Sequence, residues 1–126
     1  MNEYKSASLM EIVEDIVDTD PSMRFAAIID LKGNILESIM KEGKTSLKNQ
    51  KEEEHFCKQV AQRRKMRSGF DKGLGKVRYV QVEREKVTQI VVYPKRKTVY
   101  FTIEPEISPA KKMRIINKVK KITRFL

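Results

Sequence analysis

Residues 24–40 read RFAAIIDLKGNILESIM, and five consecutive apolar residues stand in a row there: Phe25, Ala26, Ala27, Ile28 and Ile29. An uninterrupted apolar run of strand length suits a strand covered on both faces. The Lys-Gly-Asn turn that follows predicts a hairpin, with Gly33 supplying the left-handed backbone a tight turn needs. This hairpin is expected at the centre of one sheet, with the remaining elements placed around it.

Upstream, Leu9, Ile12, Val13, Ile16 and Val17 fall on one helical face, and Ser8 with Glu11 three residues later matches a capping box. The outer face of that helix is acidic, with Glu11, Glu14, Asp15 and Asp18, and Asp20-Pro21 ends it. Downstream, residues 43–46 read as a loop. Residues 47–68 have the composition of a long helix, acidic early and basic late, stopped by Gly69. Its apolar set (Leu47, Phe56, Val60, Ala61, Met66) makes a thin stripe for so long a helix, which suggests that part of it lies on a subunit partner. Residues 76–83, 87–93 and 98–104 then predict an antiparallel meander. The middle strand, with Ile90, Val91 and Val92 in a row, is expected to be buried on both faces, and the first is a candidate edge. Ser108-Pro109 opens a final helix that buries Ile115, Val119, Ile122 and Leu126.

At 126 residues the chain is a single domain's worth, able to bury about two thirds of its unfolded surface without disulfides or metal. Its 27 Lys and Arg against 17 Asp and Glu give a formal charge of +10, which permits nucleic acid, anionic lipid or an acidic protein as partner and selects none of them. The lone cysteine, Cys57, excludes an internal disulfide framework and fits a reducing compartment. The N-terminus shows no leader pattern and no apolar run approaches a membrane span, so a soluble cytoplasmic protein is expected.

No constellation of residues names a reaction. Residues 72–79, KGLGKVRY, resemble the RNA-binding signature of RRM domains, but the two base-stacking positions hold Leu74 and Lys76 and the order of elements is wrong. The same stretch precedes a strand instead of opening a helix, so Gly69, Gly73 and Gly75 read as loop glycines and not as a phosphate loop. His55 and Cys57 lie two apart on a helix, where side chains diverge, and a buried structural thiol is the preferred reading. Sequence thus points to no catalytic residue, cofactor or metal. Two basic groups remain as candidate partner or polyanion surfaces: Arg63, Arg64, Lys65 and Arg67 on the long helix, and Lys111, Lys118, Lys121 and Arg124 on the last. The bland alternatives are an answer to the helix macrodipole for the first group and neutralisation of the acidic first helix for the second.

The order helix, hairpin, helix, three-stranded meander, helix, together with Ala26, Ala27, Ile28, Ile29 and Asp30 leading into Lys32, Gly33 and Asn34, resembles the Roadblock family of dynein light chains and its prokaryotic relatives. In wording, FAAIID, SIMKEG, RRKMR and GKVRYV are also similar to an uncharacterised group of small proteins from ammonia-oxidising archaea. The Roadblock resemblance implies an α+β sandwich: a five-stranded antiparallel sheet with the middle helix on one face and the terminal helices on the other. It further implies a homodimer or paralogous heterodimer joined through the middle helix and third strand, here Phe56, Val60, Arg64, Val77, Tyr79 and Val80. Family members are scaffolds and regulators of small Ras-like GTPases or motor complexes. The leading expectation is therefore a non-catalytic dimeric module that binds a protein. A nucleic-acid binder using the basic helices is the first alternative, and a small-molecule sensor with a cavity beneath the middle helix is the second.

Overall fold

The computed structural model describes residues 8–126; residues 1–7, on which the expectation about the N-terminus partly rests, lie outside the described residues. Along the chain run α1 (Leu9–Val17), β1 (Met23–Ile29), β2 (Ile35–Met40), α2 (Gln50–Ser68), the single turn α3 (Asp71–Leu74), β3 (Val80–Glu83), β4 (Thr88–Val92), β5 (Thr98–Ile103) and α4 (Pro109–Thr123). The strands form one antiparallel sheet in the order β2-β1-β5-β4-β3, the α+β architecture expected. The hairpin is not at its centre. That place belongs to β5, and β2 is an edge. All six residues of β5 are buried, and so are all five of β4, so a run covered on both faces marks an interior strand without saying which one.

Caps set the helix ends. Ser8 Oγ accepts from the Glu11 amide at 3.2 Å and donates to the Glu11 carboxylate at 3.1 Å. The long helix starts at Gln50 and not at residue 47, because Asn49 and Glu52 form a reciprocal capping box that leaves Leu47 and Lys48 in the preceding loop. Ser108 caps α4, with Pro109 at its first position. Gly69 does end α2, but in right-handed geometry, so the chain runs on into α3 until Gly75, at φ +84°, breaks the helical path. Gly73, expected in a loop, therefore sits in a turn of helix, and the third strand begins only at Val80.

Alternation along β1 divides its apolar run between two layers. Ala26 and Ile28 join Ile90, Val99, Phe101 and Ile103 against Ile12, Val13 and Ile16 of α1 and Ile115, Ile116 and Val119 of α4. Ala27 and Ile29 join Val91 and Tyr100 against Cys57 and Val60 of α2. The acidic α1 and basic α4 share the first face, yet they neutralise each other little. Among the described residues one ion pair links this region to α4, Lys111 with Asp20 at 3.6 Å, while the buried Lys112 pairs instead with Glu83 of β3 at 2.9 Å.

The β1–β2 turn is locked from within. Asp30 accepts from the amides of Lys32 and Asn34, both at 2.9 Å, and from the Asn34 side chain at 2.9 Å, and these bonds from Asn34 hold its carboxyl below the usual range. Gly33, at φ +91°, lies directly beneath α2: a Cβ there would stand 2.7 Å from Lys58 Cα and 2.8 Å from the Cys57 carbonyl oxygen. Gly33→Ala is expected to cost about 2 kcal/mol or more, read from urea unfolding, because both the backbone conformation and the helix must yield. Gly43, at φ +82° with nothing within 4 Å of its missing Cβ, is the internal control. Gly43→Ala should cost only the conformational strain, about 1 kcal/mol.

Candidate functional site

Helix α2 covers β1 and β5 but leaves the far side of the sheet open. A groove of about 180 Å³ runs between α2 and the β3–β4 ribbon, lined by Phe56, Val60, Arg63 and Arg67 from the helix and Val80, Val82, Val91 and Tyr93 from the sheet. Its outer wall, β3, is an edge strand with a free row of backbone donors and acceptors. On the groove Val82 is 41% accessible, and elsewhere Met66, Phe70 and Leu74, spaced by four, are 72%, 67% and 83% accessible. Such exposure on one stretch of α2 and α3 exceeds the scattered single residues normal for a surface.

Of the residues expected at a subunit contact, the structure brings Phe56, Val60 and Val80 together along this groove. Val77 and Tyr79 precede the strand, and Tyr79 packs against the α1–α4 layer, on the opposite face from Val80. Arg64 is committed within the chain. Its guanidinium donates to the carbonyls of Lys97 (2.7 Å) and Pro94 and to Thr98 Oγ1 (2.9 Å), and stacks 4.8 Å over Tyr93, fastening α2 to the β4–β5 turn. Burial lowers its pKa. Arg67 donates to Tyr93 Oη at 2.8 Å. Arg63 and Lys65 are exposed, as are Lys118, Lys121 and Arg124 on α4, where Arg114 extends the same stripe; Lys111 is half-buried against Asp20. The two basic groups therefore lie on helices covering opposite faces of the sheet. Phe70 and Leu74 were not anticipated as exposed apolar residues; their spacing of four with Met66 was the available signal.

A second concavity, of about 710 Å³, opens at the N-terminal end of α2, between the loop at 45–48 and the β3–β4 turn at 83–87. Phe25, Phe56 and Tyr100 form an aromatic floor, with ring centres 5.9 Å apart for Phe25 and Tyr100 and 4.8 Å for Phe56 and Tyr100. A polar chain crosses it. Arg84 Nε donates to Gln89 Oε1 (2.7 Å), Gln89 Nε2 donates to Tyr100 Oη (3.2 Å), and Lys48 Nζ donates to the same hydroxyl (3.2 Å). Burial drives the Tyr100 phenol well above its usual range. Sequence reading weighed Glu53 and set it aside for want of a partner cluster, and did not join it to Lys48, Gln89 and Tyr100 because the four come from separate stretches.

A model of the family described as "Family of unknown function (DUF6659)" matches residues 3–125. No curated protein sequence matches the chain. Among solved structures it is similar to a Roadblock/LC7 domain from Streptomyces avermitilis, with 14% identity, 94% of this chain and 96% of that one covered, and a TM-score of 0.70. It is also similar to MglB of Myxococcus xanthus (12% identity, 98% and 89% covered, TM-score 0.72) and to profilin II of Acanthamoeba castellanii (15%, 93% and 97%, TM-score 0.61). The fold is that of Roadblock domains and, more broadly, profilins, as the order of elements implied.

A shared fold carries no chemistry of its own; chemistry belongs to the side chains. His55 is exposed while Cys57, two residues on, is fully buried beneath α2, so the two do not meet. Burial, with the Glu53 carboxylate nearby, pushes the thiol up to about 12, leaving it protonated at neutral pH. Cys57 should accordingly resist a disulfide exchange reagent at pH 8 and react stoichiometrically once urea unfolds the chain. Fast labelling of the native protein would contradict this placement.

Proposed function

We propose that this chain, which belongs to the DUF6659 family, is a single-domain, non-catalytic regulatory module that pairs with a second copy of itself and presents a surface to a protein partner. One observation carries the reading: the free β3 edge and the groove beside it form an apolar, unpartnered face of the kind that strand pairing and helix packing cover in a dimer. MglB, a neighbour of the same fold, has been solved in a tetrameric arrangement, which supports self-association as the first state to test here. The resemblance to Roadblock proteins makes a small Ras-like GTPase the first partner to test.

The exposed bases of α4 would steer an acidic protein to its outer surface. Binding along a nucleic acid is the weaker reading, because the two basic groups sit on helices that cover opposite faces of the sheet, so phosphates meet no continuous basic track. The single buried cysteine is consistent with a reducing, cytoplasmic setting. Among the described residues no helix is long and apolar enough to cross a membrane.

Val80→Asp and Val82→Asp are expected to give monomers with an intact circular dichroism spectrum, measured by sedimentation equilibrium; a dimer mass retained by both would remove the edge from the contact. Tyr79→Asp should instead lower stability, since Tyr79 packs into the α1–α4 layer. Neutralising Lys118, Lys121 and Arg124 together should leave stability within about 0.5 kcal/mol, because all three are exposed. Oligonucleotide binding by the parent chain should fade between ~50 and ~200 mM salt, and tight binding that survives the higher salt would favour the nucleic-acid reading.

A further inference from the structure

We propose that the cleft at the N-terminal end of α2 is a binding site for an organic amine in its ammonium form, and that Lys48 is the chain's own occupant of the cation position. The ammonium of Lys48 lies 3.8 Å from the centre of the Phe56 ring and 5.0 Å from that of Tyr100. It stands 3.2 Å from Tyr100 Oη and 3.0 Å from Glu53 Oε1. Two aromatic faces and a carboxylate, converging from a helix and a central strand, make a receptor for a positive charge: the ring quadrupoles and the anion both attract it, and burial strengthens both attractions.

Lysine fills this receptor incompletely. Its nitrogen is close enough to Glu53 Oε1 for an ion pair but not aligned for a hydrogen bond, so that oxygen is buried with no hydrogen-bond donor. Several neighbouring donors are spent elsewhere. Arg24 bonds Glu104 and the Thr45 carbonyl, Gln89 Nε2 bonds Tyr100, and Arg84 Nε bonds Gln89. On the open side about 710 Å³ of cleft adjoins these groups, and Phe25, Met40, Leu47 and Val87 offer apolar walls. That combination selects an amine on a hydrophobic body. The lining carries charges of both signs, Arg84 and Lys86 as well as Glu83 and Glu85, so the choice rests on the aromatic position itself, where an anion would face the Glu53 carboxylate and a neutral molecule would forgo the cation position.

Lys48 belongs to the loop joining β2 to α2, which Arg24 and Lys44 tie down at 3.0 Å (Thr45) and 2.9 Å (Glu104). Its side chain can therefore leave by rotating about its own bonds while the loop stays in place. A free amine competes against this tethered ammonium, so the affinity of the intact chain is set below that of the emptied site.

The test follows backbone amide shifts of the full chain during titration with three probes that share one phenylethyl body: phenethylammonium chloride, 2-phenylethanol and 3-phenylpropionate. The ammonium is expected to bind best and to move amides at 45–48, 53–56, 84–89 and 100. Lys48→Ala should bind it about tenfold tighter or more, since the tethered competitor is gone. Glu53→Gln, which keeps the side-chain shape, should bind it about tenfold more weakly. Should Lys48→Ala fail to fold, Lys48→Met, which keeps the apolar stem, carries the same comparison. Equal binding of the alcohol and the ammonium, stronger binding of the propionate, or a folded Lys48 variant with no gain would each overturn the proposal.

Discussion

The close approach of the β1–β2 turn to α2 governs the rest of the molecule. Interior strands buried on both faces require a helix on each side, but α2 brings only Cys57, Val60 and Ala61 as buried contacts. A helix with so little apolar surface must come close to the sheet to be held there. Gly33 beneath Lys58 and Cys57 makes room, Ala27 keeps the sheet surface low, and Arg64 fastens the far end to the β4–β5 turn. The anchoring of α2 is thus partly apolar and partly a matter of buried hydrogen bonds, which are costly to break singly.

Where α2 sits decides what it leaves uncovered. Both concavities flank this one helix, the groove beside β3 and the cleft at its N-terminal end, and they share Phe56, Arg84 and Gln89. A change at one is therefore felt at the other through common side chains. The opposite face is roofed by α1 and α4 together, with Tyr79 and Ile107 packed against that layer.

Much of this was legible in the sequence. The five-residue run at 25–29, the glycine after Asp30, the Ile-Val-Val of β4 and the Ser-Pro before α4 all carry local signals, and each of these elements formed where expected along the chain, though the hairpin does not hold the centre of the sheet. What escaped had physical reasons. Two-sided burial is common to β1, β4 and β5, so the pattern could not order them across the sheet. The capping box of Asn49 and Glu52 was present in the sequence but went unread, and the helix was begun at Leu47 on composition. Arg64 looked like a surface base because its carbonyl partners lie about 30 residues away, at a turn whose geometry no local pattern reveals. The aromatic cleft was hidden for the same reason: Lys48, Glu53, Gln89 and Tyr100 share a site only after β5 is inserted beside β1.

That insertion bears on how the chain reaches its fold. The β1–β2 and β4–β5 hairpins each join near neighbours, but the seam between them pairs Met23 with Ile103 and Ile29 with Thr98, roughly 70 to 80 residues apart. Until β5 arrives, β1 and β4 each offer an apolar strand edge to solvent and to other nascent chains. Closing a loop of that length is slow beside forming either hairpin, so the two halves should collapse early and dock late. Aggregation during synthesis would then be governed less by stability than by how quickly the C-terminal half of the chain becomes available.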